Sequence, residues 1–175
     1  MAFSSLAEID SYMKENTCEF WEAVIREEAR DSQQPKMDIV NRMTQMYRAM
    51  KEADEAYDDT LTSHSGLSGK NGKTMADYAA THKCMCGEFG GAVMARAIKM
   101  AESNACMKRI VAAPTAGSCG VVPAILITYE RMTNTSENDM VKALFVAAGI
   151  GDVIARRASI SGARGGCQAE IGASS

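Results

Sequence analysis

Two loops of small residues, each with a cysteine at a predicted helix start, constrain this chain more than any other feature. The first loop covers residues 112–120 and the second loop covers residues 158–167. Glycine loses more conformational freedom on folding than any other residue. Clustered glycines are therefore expected where a ligand or another backbone must approach closely. Uncovered N–H groups at a helix start attract carboxylates and phosphates. The two loops therefore predict an anion site, although glycine-rich connections between packed helices have the same composition.

Apolar residues elsewhere recur at steps of three and four, which is the period of an amphipathic helix. The stripe formed by Met37, Val40, Met43, Tyr47 and Met50 is the longest of these patterns. No alternation of apolar and polar residues is long enough for a sheet, so the chain is predicted to be all-α. The predicted helices begin near Ser5, after Asn16 or Thr17, after Pro35, at Gly87, at Val121 and after Ser136.

The chain divides in composition near residue 60. Between Asp59 and Lys73 it is rich in Ser, Thr, Gly and Asn, which predicts a loop. Residues 1–60 are interpreted as an N-terminal helical segment, and residues 61–175 as the unit that contains both loops. Within the last long helix, Gly149 and Gly151 are predicted to cause a break.

Helix starts are also predicted at the two ends of the chain. Ser5 and Glu8 have the spacing of a capping box, in which each side chain accepts a hydrogen bond from the other residue's N–H. At the other end, residues 165–175 have the small residues of a helix start but are predicted to lack the turns that would follow.

Three separated motifs resemble one enzyme family. Residues 114–120 read Pro-Thr-Ala-Gly-Ser-Cys-Gly, and residues 159–170 read Ser-Ile-Ser-Gly-Ala-Arg-Gly-Gly-Cys-Gln-Ala-Glu. Both resemble signature segments of the alpha subunit of bacterial iron–sulfur L-serine dehydratase, as does Ser-Gly-Leu-Ser-Gly at residues 65–69. The resemblance runs from about Ser65 to the last residue, and before Ser65 only the helical character agrees. Residues 61–175 are therefore identified as the N-terminal part of an all-α catalytic domain, truncated at residue 175.

The resemblance implies a [4Fe–4S] cluster as cofactor and no pyridoxal phosphate. In the family, the cysteine that corresponds to Cys167 is a cluster ligand, and further ligands lie in GLxCDPV and VPC segments that this sequence lacks. Cys119 is the alternative metal ligand in this chain. Because several thiolates hold such a cluster, the implied partners are the missing C-terminal alpha portion and the beta subunit or domain. Arg164 stands where the family commonly has an acidic residue, which reverses the charge beside Cys167.

The reaction implied by the resemblance is β-elimination of water from L-serine, which gives pyruvate and ammonia. Hydroxide is a poor leaving group, so the reaction needs a Lewis acid on the serine oxygen and a base for the Cα proton. Lys73 and His64 are the candidates for that base. The hypothesis for the substrate anion is contact with both loops, through Thr115, Gly117, Ser118, Gly120, Ser159, Ser161 and Gly162.

Composition narrows the functional classes. The formal net charge of −3 disfavours nucleic-acid binding, for which a basic face is expected. No apolar run reaches the length of a membrane span, and the N-terminus lacks the pattern of a signal peptide. We therefore expect a cytoplasmic protein without membrane contact, whose six cysteines are thiols rather than a disulfide framework.

Three other functions remain open at the level of sequence. The chain could be a helical interaction or regulatory fragment that retains the fold without catalysis. It could belong to a related lyase that acts on cysteine or another small amino acid, because such choices depend on pocket contacts. It could also be an enzyme that uses Cys119 as a nucleophile at a helix N-terminus.

Overall fold

The computed structural model describes residues 3–175, and within this range the chain is all-α, as predicted, with no strand. None of the helices in that range is long and apolar enough to span a membrane. The helices, in chain order, are α1 (Leu6–Asn16), α2 (Phe20–Ser32), α3 (Lys36–Glu55), α4 (Asn71–Ala79), α5 (Gly87–Ala105), α6 (Val121–Thr133), α7 (Glu137–Arg157), α8 (Gly162–Gly165) and α9 (Cys167–Ser174).

Ser5 caps the first helix as predicted, but the reciprocal bond from Glu8 and the cap of the second helix differ from the prediction. The Ser5 hydroxyl accepts from the Glu8 amide at 3.2 Å, but the Glu8 carboxylate accepts from the Ser4 amide at 2.7 Å instead of from Ser5. Helix α2 begins after Glu19, which forms a capping box with Glu22. The prediction of Asn16 or Thr17 as its cap was wrong, because the left-handed backbone of Thr17 ends α1 there.

The main core lies between α2, α3, α6 and α7. Tyr47 and Ile127 are fully enclosed at its centre, on α3 and α6. The other buried members of the cluster are Ile25, Ile39, Met50, Met140, Val141, Leu144 and Phe145. The boundary predicted near residue 60 falls in the loop between α3 and α4, and this core takes side chains from both sides of it.

Helix α7 continues through Gly149 and Gly151, so the predicted break is wrong. A Cβ atom on Gly149 would lie 2.6 Å from Val24 Cγ2 and 2.9 Å from Phe20 Cε1. Gly149 therefore serves the close contact between α2 and α7 rather than a change in helix direction.

The C-terminal segment also differs from expectation. Residues Cys167–Ser174 form a helix of two turns, although the sequence predicted that the turns after the helix start would be missing. This helix, α9, packs against α6, α7 and the first loop. These contacts stabilise a helix that is too short to be stable in isolation.

Helix α5 has different neighbours on its two sides. On one side, the start of α4 lies against it, where a Cβ on Gly72 would be 2.6 Å from Lys99 Cγ. On the other side, a Cβ on Gly120 would be 2.5 Å from the Ala97 carbonyl oxygen. Because Lys99 and Ala97 point about half a turn apart on a helix, α4 and the first loop pack on roughly opposite faces of α5.

A buried carboxylate joins α4 to α5. Glu102 accepts hydrogen bonds from the Asn71 amide at 2.7 Å, the Gly72 amide at 3.0 Å and the Tyr57 hydroxyl at 2.8 Å. Burial by itself would raise the pKa of Glu102, but these donors outweigh it and hold the pKa below its ordinary value. The charge of Glu102 thus satisfies the first amides of α4.

We expect Glu102→Gln to lower the free energy of unfolding by about 1–3 kcal/mol at pH 7, because an amide cannot replace a carboxylate that accepts from three donors. A depressed native pKa contributes stability above the ordinary value of 4.5, and that stability is lost as the pH falls through the native pKa. The difference between the two proteins should therefore shrink in acid.

Urea unfolding of both proteins at pH 7 and at about pH 3.5 measures this difference, with Glu15→Gln on the exposed surface of α1 as control. A deficit in Glu102→Gln that is equally large at both pH values would contradict a role for the ionised carboxylate.

Candidate active site

The first loop is held together by its own hydroxyl groups. The Ser118 and Thr115 hydroxyls lie 3.2 Å apart, and Ser118 also donates to the Ala113 carbonyl oxygen at 3.3 Å. Ser118 is buried, whereas Gly117 beside it is exposed. Within the 3₁₀ turn Ala116–Ser118, Gly117 is therefore the predicted anion contact that remains at the surface.

Cys119 and Gly120 form the side of the first loop that faces α5. The Cys119 thiol is 1 % exposed and lies 3.9 Å from the Met100 carbonyl oxygen. Burial raises the pKa of this thiol, which opposes the formation of a nucleophilic or metal-binding thiolate. Gly120 is buried against the α5 backbone. Both residues therefore have packing roles here, and their functional roles stay predictions.

The second loop contains the single turn α8. The Ser161 carbonyl oxygen accepts from the Arg164 amide at 3.1 Å and the Gly165 amide at 2.8 Å, and the Ser161 side chain is exposed. Gly166 then adopts a positive φ of 80°, a conformation that glycine adopts without strain, and α9 starts at the next residue. Ser159 is also exposed at the start of this loop.

The carboxylate of Glu170 joins the two loops. A Cβ on Gly117 in the first loop would overlap Glu170 Oε2, and a Cβ on Gly162 in the second loop would lie 2.8 Å from the same oxygen. Glycine at both positions is what allows the carboxylate to approach the backbone so closely. Glu170 was not among the site residues predicted from the sequence, although it is the last residue of the second signature segment.

Cys167 and Glu170 lie on the same side of α9. They are three residues apart, which makes them neighbours on a helix surface. Cys167 is exposed at the first position of this helix. The predicted metal ligand is therefore adjacent to the junction of the two loops.

The two candidates for the base are elsewhere in the fold. Lys73 forms an ion pair with Asp77, one turn along α4, and α4 packs on the face of α5 that is opposite the first loop. His64 is exposed in the loop that precedes α4. The described contacts bring neither side chain to the two loops, so their role stays a prediction.

Both loops lie in the part of the chain that matches a known protein family. The family model described as serine dehydratase alpha chain matches residues 15–175. The chain belongs to the serine dehydratase alpha chain family. The match includes both loops and begins well before Ser65, so the resemblance extends into the N-terminal helices, where the motifs had given no sign of it.

Individual relatives agree with this assignment. The chain is 34% identical over 173 residues to the probable L-serine dehydratase alpha chain of Bacillus subtilis, covering 99% of this chain and 58% of the relative. It is 32% identical over 170 residues to the L-serine dehydratase alpha chain of Peptoniphilus asaccharolyticus, covering 96% and 58%. The chain thus spans somewhat more than half the length of these two relatives. No solved structure gives a significant match.

The described part of this family member does not form a complete metal site. Among residues 3–175, no group of three or more His, Cys, Asp or Glu side chains could hold a metal ion. Cys167 is an exposed thiol that fits one ligand position, whereas an iron–sulfur cluster needs several. Residues 3–175 could therefore supply one ligand of a cluster but not a complete set of ligands.

Glycine substitutions in the first loop separate its packing from its contact with Glu170. We expect Gly120→Ala to lower the free energy of unfolding by about 1–3 kcal/mol, because the new methyl group would meet the Ala97 backbone, which cannot move aside. Gly117→Ala meets only the end of the Glu170 side chain and should change stability by less than about 1 kcal/mol.

Urea unfolding compares these variants, with Gly172→Ala as control, since that position faces open space. A loss of stability in Gly120→Ala that is no larger than in Gly172→Ala would show that the loop is not anchored through Gly120.

Proposed function

We propose that this chain is part of an L-serine dehydratase, which eliminates water from L-serine to give pyruvate and ammonia. The observation that supports this proposal is the convergence of the two loops on Glu170, with Cys167 on the same side of α9. An amino-acid substrate needs groups for a carboxylate, an ammonium and a leaving hydroxyl within a few ångströms. The two loops, Glu170 and Cys167 are proposed to supply these groups.

In this proposal the two loops bind the substrate carboxylate. Gly117 and Gly162 are proposed to offer backbone amides beside the Glu170 carboxylate that lies against them, and the exposed Ser159 and Ser161 hydroxyls are available as further donors. Thr115 and Ser118 support the first loop through their mutual hydrogen bond. Gly120 holds the loop on α5 and so fixes the position of Gly117.

Cys167 is proposed to be one protein ligand of a [4Fe–4S] cluster. When bound, that cluster would supply a Lewis acid for the serine hydroxyl, and the reaction needs no pyridoxal phosphate. The remaining ligands would come from alpha-chain sequence other than these 175 residues, and the beta subunit or domain would complete the enzyme. A reducing cytoplasm suits this proposal, because all six cysteines are free thiols.

The test uses the complex that contains this chain, purified without oxygen through a tag on its N-terminus. We expect pyruvate from L-serine and the visible absorbance of a [4Fe–4S] cluster. Cys167→Ser should lower both by at least about tenfold, because a hydroxyl is a poor replacement for a thiolate ligand. Cys86→Ser is the matched control, since Cys86 is equally exposed but lies at the start of α5.

Other results would point to the alternatives. Pyruvate from L-cysteine but not from L-serine would identify the related lyase. A complex without either activity and without a cluster would overturn the proposal and favour the helical interaction fragment.

A further inference from the structure

We propose that Glu170 binds the α-ammonium group of the amino-acid substrate. This inference rests on the proposed function and names the residue that recognises the positive charge of that substrate. Three observations support it: the unpaired charge of Glu170, the absence of other acids from the loops, and the position of Glu170 relative to Cys167.

Glu170 is a half-buried carboxylate without a partner. Among residues 3–175 it forms no hydrogen bond or ion pair. More deeply buried carboxylates of this protein are satisfied: Glu102 has three donors, and Asp54 pairs with Arg96 at 2.8 Å and with Arg131 at 3.3 Å. Partial burial of an anion costs free energy unless a cation or a donor accompanies it. Glu170 thus has the capacity to bind a cationic group that the chain itself does not supply.

The composition of the loops makes Glu170 the one acid available to that group. Neither residues 112–120 nor residues 158–167 contain Asp or Glu, and Glu170 is the single acidic residue of α9. A free amino acid has both charges on its Cα atom, so a site that binds only the carboxylate would leave the ammonium group without a counter-charge. An ammonium–carboxylate hydrogen bond is among the strong ones, because both partners are charged.

The geometry of α9 agrees with this role. Side chains three residues apart on a helix have Cβ atoms about 5–6 Å apart. The ammonium nitrogen and the hydroxyl oxygen of serine are separated by three bonds. Glu170 and a metal held through Cys167 could therefore contact these two groups of one serine molecule at the same time.

The experiment compares two ligands that differ only in the ammonium group: L-serine as substrate and 3-hydroxypropionate as inhibitor. The variants are Glu170→Gln and Glu170→Asp in the complex that contains this chain, with Glu15→Gln as the matched control. Neither KM nor an inhibition constant depends on the fraction of active enzyme, so a partly folded variant still gives a valid comparison. Retention of the charge in Glu170→Asp provides a second test at the same position.

We expect Glu170→Gln to raise the KM for L-serine at least tenfold while the inhibition constant of 3-hydroxypropionate changes less than about twofold. Glu170→Asp should recover part of the affinity for L-serine, and Glu15→Gln should change neither constant. Equal weakening of both ligands would assign Glu170 a structural role and overturn the inference. Tighter binding of both ligands would show that Glu170 only occupies the junction and would overturn the inference. An unchanged KM for L-serine would also overturn the inference.

Failure of the proposed function and failure of this inference would give different results. If the unaltered complex forms no pyruvate from L-serine, the function is wrong and the inference about Glu170 falls with it. If the unaltered complex is active but Glu170→Gln changes the KM for L-serine and the inhibition constant of 3-hydroxypropionate to the same extent, only the inference is wrong.

Discussion

The close contact between the first loop and α5 is the constraint on which the site depends. Gly120 lies directly on the backbone of Ala97, where any side chain would collide with a carbonyl group. Beside it, Ser118 and Cys119 are buried, and Asn104 of α5 donates to the Ala116 carbonyl oxygen at 3.0 Å. These contacts fix one wall of the loop junction to a rigid helix, which is how proteins position residues that bind ligands.

Charged groups around α5 hold the other helices in place. Arg96 of α5 pairs with the buried Asp54 of α3, and its guanidinium also donates to the Thr128 hydroxyl of α6 at 2.5 Å. Glu102 holds α4 on another face of α5. A buried ion pair is only weak evidence for stability, since desolvation opposes it, but these bonds specify which helix packs where. The apolar core then stabilises that arrangement.

The second wall of the junction depends on α9. This helix has only eight residues, so its structure requires packing against α6, α7 and the first loop. Its packing also determines the position of Glu170 between Gly117 and Gly162. The packing that stabilises the C-terminal segment therefore also assembles the candidate site.

The all-α class, the positions of most helices and the two loops could be predicted from local sequence patterns, because helical periodicity and glycine clusters are local signals. The sequence also led to the family, through motifs at residues 114–120 and 159–170. It could not determine that Gly120 and Cys119 face α5, that Gly149 lies against Phe20, or that Glu170 reaches both loops. Those facts depend on contacts between residues far apart in the chain, and only the packing of the helices decides which small residue meets a backbone and which meets a carboxylate.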